Sequence, residues 1–198
     1  MRIVASSVVI AALVVGAASC SSGDGGSGGT GGHGGTRGGG PMDGPVGDSG
    51  PFDPFQTRNL DDINKYRATL SIAPLTLDPT LSKFAQAGTL EESMNHVAHA
   101  NFVAAEDAGT LFTPADGFSM NAGENQGDPN GWNPISGDKT TNELDQIDAI
   151  QKVMFDEGPG DGEAHGHYEN IMNPEFTRVG VGLLEVGDKL YLTNDFSS

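Results

Sequence analysis

Apolar residues recur at intervals of three and four in the middle of the chain, which is the spacing of one face of an α-helix. The first such stripe consists of Leu60, Ile63, Arg67 and Leu70. It predicts a helix over residues 59–71. The second stripe consists of Leu81, Phe84, Ala85 and Gly88. It follows Asp78-Pro79, a pair typical of a helix N-cap and first helical residue, and predicts a helix that continues toward His96.

A third stripe consists of Leu144, Ile147, Ile150 and Met154. Thr140 and Glu143 before it have the spacing of a capping box, and Gly158-Pro159 after it is a typical helix stop. The pattern predicts a third helix between these signals, with Ile150 in the core.

The rest of the pattern is of two kinds. Residues 102–139 are rich in Gly, Pro, Asn and Asp and are predicted to be mostly loop. Near the end, two alternating runs flank the turn signal Gly187-Asp188 and predict a β-hairpin. The runs consist of Val179, Val181 and Leu183, then Leu190, Leu192 and Phe196. Three helices and late strands predict an α+β sandwich.

Composition separates the domain from what precedes it. Residues 21–51 are mostly Gly, Ser, Thr, Asp and Pro, so they have almost no apolar surface to bury. We predict a disordered, flexible tether over residues 20–55 and one folded domain over 56–198. The net charge of −17 excludes nucleic acid as a partner and excludes electrostatic attachment to anionic lipids.

The first 19 residues resemble a signal peptide. Arg2 is a short positive region, residues 3–15 are mostly apolar, and small residues precede Cys20, the only cysteine. The arrangement resembles the lipobox of bacterial lipoproteins, in which this cysteine is lipidated. We therefore expect an extracytoplasmic protein of the cell envelope whose lipid on Cys20 anchors it in a membrane. The alternative is a secreted protein with an incidental cysteine.

Five short motifs follow one another in the predicted domain. They are Ile63-Asn64 with Arg67, Pro74-Leu75, Gly123-Glu124-Asn125, Gly166-His167-Tyr168 with Asn170-Ile171-Met172, and Val179-Gly180-Val181-Gly182. In this order they resemble the CAP (SCP) superfamily of cysteine-rich secretory proteins, antigen 5 and pathogenesis-related 1 proteins. The resemblance covers about residues 57–196 and implies an α-β-α sandwich.

The resemblance also implies a cleft lined by two histidines and two acidic residues. Carried over motif by motif, these are His99, Glu124, Glu157 and His167. His96 is the alternative to His99. Asp156 is the alternative to Glu157, because Met154 stands where the family has Trp.

Two imidazoles that converge on one cleft can bind a divalent transition metal, and nitrogen ligands favour Zn²⁺. His99 and His167 would be the ligands, with Glu124 and Glu157 as further ligands or as orienters of the rings. The alternative is a structural network of hydrogen bonds that ties the loops to the sheet. His165 lies in a polar turn and is expected to be exposed.

These features predict a surface-tethered binding module for an apolar small molecule, a partner protein or an envelope component. The alternative is a metal-dependent hydrolase that acts on protein or cell-envelope polymer. The sequence supplies no nucleophile with its base, so we favour a binding protein over an enzyme.

Overall fold

A computed structural model describes residues 52–127, 143–187 and 189–198. The elements within them are α1 (Pro54–Thr69), β1 (Thr76–Leu77), α2 (Pro79–Asn95), α3 (Ala100–Asp107), β2 (Ala122–Gly127), α4 (Glu143–Asp156), a 3₁₀ turn (Glu163–His165), α5 (Gly166–Met172), β3 (Arg178–Val186) and β4 (Lys189–Ser197). Cys20, the predicted signal peptide and Thr140 lie outside the described residues.

Four strands form one sheet in the order β1-β3-β4-β2. β1 runs parallel to β3, and the β3–β4 and β4–β2 pairs are antiparallel. Helix α2 packs against β3 and β4, while α1, α4 and α5 contact one another and the sheet. Because side chains alternate along a strand, Val179 and Val181 of β3 face α1 and α4, and Gly180 and Gly182 face α2. This arrangement confirms the α-β-α sandwich.

The larger part of the core lies between the sheet and α1, α4 and α5. Ile63, Ile147, Ile150 and Met154 from the helices pack there against Val181 and its neighbours in β3 and β4. A smaller cluster lies between α2, α3 and the loop before β2. It consists of Leu81, Phe102, Leu111 and Phe118. The apolar core is therefore larger on the side of α1, α4 and α5 than on the side of α2.

Several boundaries differ from the sequence prediction. Helix α1 begins at Pro54 because Asp53 caps it, and it ends at Thr69, which leaves Leu70 exposed. Leu144 is also exposed, at the first turn of α4. Residues 102–139 were predicted to be mostly loop, yet they contain most of α3 and all of β2. Both elements have little apolar periodicity, so packing against the rest of the fold fixes them.

An acidic pair lies where α1 packs on α4. Asp62 is buried, and its Oδ2 atom lies 3.7 Å from Arg58 Nε. The guanidinium of Arg58 is committed instead to Asp148, through bonds of 2.7 and 2.6 Å. Burial, and next the hydrogen bond with Asp148, raises the pKa of Asp62 to about 6. Folding therefore favours the protonated form of Asp62.

Asp62→Asn is expected to change how stability depends on pH. Since the pKa of Asp62 is higher in the folded state, its contribution to stability is fully present below about pH 4 and is lost as the pH rises through about 6. The amide resembles the protonated acid, so the variant should exceed the wild type by on the order of 1 kcal/mol at neutral pH, with the difference vanishing near pH 4. Denaturant unfolding at several pH values measures this difference.

The control is Asp61→Asn, a change at an exposed neighbouring carboxylate on α1. It should alter stability little at any pH. A loss of stability in Asp62→Asn at neutral pH would mean that attraction to Arg58 outweighs the cost of burial.

Candidate functional site

The first His–Glu pair lies between the α2–α3 turn and strand β2. His99 Nδ1 is 2.8 Å from Glu124 Oε1, and both residues are 2% exposed. The backbone N–H of His99 also donates to Gln126 Oε1, at 2.5 Å. Glu124 and Gln126 are alternate residues of β2 and so point to the same face of the sheet. Strand β2 therefore fixes both the backbone and the ring of His99.

The turn that carries His99 has a strained backbone. His96 and His99 have φ values of 56° and 61°, in the left-handed region that residues other than glycine rarely adopt. Such conformations cost roughly 1–3 kcal/mol each and persist where surrounding contacts require them. The contacts to β2 supply that requirement at His99.

A second buried acid, Asp195, lies next to Glu124. The two residues are directly opposite each other in the antiparallel β2–β4 ladder. Helix α2 covers them so closely that a Cβ added at Gly88 would lie 3.5 Å from Glu124 Oε2. Burial, and next the charge of Glu124, raises the pKa of Asp195 well above its usual range.

The second His–Glu pair joins the end of α4 to the start of α5. His167 Nδ1 is 2.5 Å from Glu157 Oε1, and Glu157 Oε2 accepts the backbone N–H of His167 at 3.0 Å. The same oxygen accepts the N–H of Tyr168 at 3.4 Å. The carboxylate thus binds the first N–H groups of a helix, which otherwise lack partners within that helix. One glutamate both positions α5 and orients its histidine.

The structure distinguishes between the residues that the sequence left open. Asp156 pairs with Lys152 at the exposed end of α4, so Glu157 is the residue beside His167. His99 contacts Glu124, whereas the exposed His96 stacks on the ring of Tyr191.

The prediction that His165 is exposed is wrong. Its ring is half-buried, and Nδ1 lies 2.9 and 3.0 Å from the carbonyl oxygens of Glu157 and Gly158. The turn after α4 folds back over the ring, which packs against Gly160. His165 is therefore part of the turn that holds Glu157.

Two asparagines connect both His–Glu pairs to the edge strand β2. Asn125 Nδ2 donates to the carbonyl of His167 at 3.1 Å, and Asn170 Nδ2 donates to Asn125 Oδ1 at 2.9 Å and to the carbonyl of Glu124 at 3.2 Å. Glu124 and Asn125 are consecutive, so they point to opposite faces of the sheet. The two pairs are thus attached to neighbouring positions of one edge strand.

The residues fit part of a metal site. Both imidazoles bond a carboxylate through Nδ1, the arrangement that orients a histidine for coordination through Nε2. In the described part of the chain, however, no group of three or more His, Cys, Asp or Glu side chains is placed to hold a metal. A metal held by His99 and His167 alone would therefore need solvent or a bound molecule to complete its coordination.

A separate open groove of about 490 Å³ lies between α2 and α3. Ala87, Ala104 and Ala105 form an apolar wall, with Lys83 and Asp116 at its edge. The groove is large enough for a small molecule. The groove is a candidate place for the predicted apolar ligand, whose binding stays a prediction.

Helix α2 covers one face of the sheet, and three helices cover the other. A His–Glu pair lies on each side of the edge strand. Together these features define a CAP-type sandwich. The Cysteine-rich secretory protein family (CAP) matches residues 60–196, and the chain belongs to this family. None of the described helices is both long and apolar enough to cross a membrane.

Three solved structures are similar to this chain. The crystal structure of NaASP2 with Zn²⁺ has a TM-score of 0.51 and 13% identity, over 76% of this chain and 82% of that one. An outer surface protein from Borrelia burgdorferi has a TM-score of 0.51 and 17% identity, over 72% of this chain and 90% of that protein. An extracellular protein with an SCP domain from Bacillus anthracis str. Ames has a TM-score of 0.46 and 24% identity, over 75% of this chain and 45% of that protein. No curated protein matches the chain.

Proposed function

We propose that this CAP domain is an extracytoplasmic binding module whose cleft takes a divalent transition metal through His99 and His167. The observation that carries the proposal is the pair of Nδ1–carboxylate bonds, His99 to Glu124 and His167 to Glu157. A carboxylate at Nδ1 fixes the tautomer and raises the basicity of Nε2. Each carboxylate thereby orients its ring in the way that metal-binding histidines are oriented.

Zn²⁺ is the metal to test first. Imidazole nitrogen is a good ligand for it, and two histidines leave coordination positions for water or for an oxygen atom of a bound molecule. The similar structure of NaASP2 with Zn²⁺ supports this choice. A site of this kind would recognise an apolar molecule or envelope component through a polar group on the metal.

Adding Zn²⁺ is expected to raise the thermal midpoint of the wild-type protein by mass action, by the equivalent of about 2.7 kcal/mol at a hundredfold excess over Kd. The increase should weaken as the solution is made more acidic, because protons compete with the metal for the imidazole nitrogens. His167→Ala should abolish the Zn²⁺-induced shift. Calorimetric scans with and without Zn²⁺ measure it for each variant.

The matched control is His96→Ala, a change at an exposed histidine three residues from His99. Its Zn²⁺-induced shift should equal that of the wild type. If His167→Ala responds to Zn²⁺ as the wild type does, the two pairs form a structural network and not a metal site. Turnover of protein or envelope polymer that requires Zn²⁺ would favour the hydrolase over the binding module.

We further propose that the mature protein is anchored in a membrane through a lipid on Cys20. The apolar run at residues 3–15 and the small residues before Cys20 support this proposal. In a bacterial host, the wild-type protein should incorporate a labelled fatty acid and fractionate with membranes, and Cys20→Ala should do neither. A Cys20→Ala protein that stays labelled and membrane-bound would contradict the proposal.

A further inference from the structure

Three acidic and basic side chains form a buried row beneath α2. His99, in the α2–α3 turn, bonds Glu124 on β2, and Asp195 lies opposite Glu124 on the central strand β4. Asp195 is 0% exposed. The β3 residue opposite Asp195 is Gly180, which has no side chain to offer it. The row is therefore closed to solvent from above by the helix.

Three carboxylate oxygen atoms of this row have no hydrogen-bond partner among the described residues. Glu124 Oε1 accepts from His99 Nδ1, but among the described residues Glu124 Oε2 and both carboxylate oxygens of Asp195 receive no hydrogen bond. Two ionised carboxylates side by side in a dry interior would repel each other and lack solvation. A single proton between them removes the repulsion and supplies a donor.

The proton belongs on Asp195. One oxygen of Glu124 already accepts a hydrogen bond from His99, whereas neither oxygen of the fully buried Asp195 has a donor among the described residues. We infer that Asp195 is a neutral carboxylic acid whose O–H donates to Glu124 Oε2 and holds the Glu124 carboxylate against His99. Asp195 is thus a positioning residue for the His99 half of the site, to which neither the sequence motifs nor the proposed function assigns it.

Infrared spectroscopy at neutral pH tests the protonation state directly. The difference spectrum of wild type minus Asp195→Asn should contain the carbonyl stretching band of a protonated carboxylic acid. The amide can still donate to Glu124, so this variant keeps the shape and the hydrogen bond. Asp156→Asn, at an exposed carboxylate, should show no such band. Absence of the band from the wild-type difference spectrum would overturn the inference.

The positioning role is tested by the imidazole ¹⁵N chemical shifts of His99 in the metal-free protein. Asp195→Asn should leave them close to the wild-type values, and Asp195→Leu should move them, because leucine has similar size but no donor. If both variants move the shifts equally, Asp195 acts through its charge. If neither moves them, Glu124 is held without Asp195. Either result would overturn the inference, and the infrared measurement decides it if Asp195→Leu does not fold.

The consequence for metal binding rests on the proposed function. Without Asp195, Glu124 would no longer be held against His99, and loss of such a carboxylate contact to a ligand histidine typically lowers metal affinity by about tenfold or more. Titration with Zn²⁺ should therefore show that weakening for Asp195→Leu and an affinity near the wild-type value for Asp195→Asn. If the wild type does not bind Zn²⁺, the proposed function fails, while the infrared and ¹⁵N results for Asp195 still stand on their own.

Discussion

Arg67→Met is expected to cost about 3–5 kcal/mol of unfolding free energy. The guanidinium of Arg67 is fully buried and donates to four carbonyl oxygens, those of Ala73, Ile171, Asn173 and Phe176, at 2.8–3.0 Å. Methionine fills much of the volume but leaves all four acceptors without their donor. Arg67→Lys should recover only part of the loss, because one ammonium cannot reach four acceptors that surround a planar guanidinium. Denaturant unfolding measures both variants.

A control for Arg67 is available on the same helix. Arg58→Met removes an arginine that also makes two short hydrogen bonds, but at the surface and to one carboxylate. It should cost far less than Arg67→Met, since solvent replaces the lost contacts. Equal losses for the two variants would mean that the carbonyl oxygens around Arg67 find other donors.

The sequence predicted the fold well where local signals were dense. Asp78 caps α2 as expected, because its Oδ1 accepts the backbone N–H groups of Thr80 and Leu81. The stripe of α4 is buried at Ile147, Ile150 and Met154. These features depend on neighbours within one or two helical turns, so the chain itself carries the information.

Strand β2 could not be predicted in this way. Glu124, Asn125 and Gln126 are polar and yet buried, so the strand has no apolar alternation. Its side chains bond to residues far along the chain, such as His99 and Asn170. Only the assembled fold provides those partners, which is why the segment is typical of a loop when taken alone.

The candidate site was predicted in part. The motifs identified Glu124 and His167. The choice of His99 over His96 and of Glu157 over Asp156 depended on contacts with those two residues, which are 25 and 10 positions away in the sequence. Asp195 gave no signal, because an acidic residue that alternates with Leu192 and Phe196 is typical of the solvent face of a strand. That face is instead covered by α2. A residue's burial by a distant helix cannot be inferred from strand alternation.

The close approach of α2 to the sheet depends on two glycines of β3. A Cβ added at Gly180 would lie 2.1 Å from the carbonyl carbon of Leu81, and one at Gly182 would lie 2.4 Å from that of Ala85. Leu81 and Ala85 are one turn apart on α2, so the helix backbone rests on both glycines. The contacts are with backbone atoms, which cannot rotate away as a side chain can.

Gly180→Ala is therefore expected to cost about 3 kcal/mol or more, at the upper end of the usual range for overpacking, because α2 must move by roughly 1 Å. Since α2 leads directly to His99, the variant should also disturb the imidazole ¹⁵N shifts of His99 and leave those of His167 closer to the wild type. Gly109→Ala is the control. It has a positive φ but open space around its Cβ position, so it should cost only about 1 kcal/mol. Equal costs would mean that α2 can move away from Gly180 with little loss of stability, so that its close contact does not require glycine there.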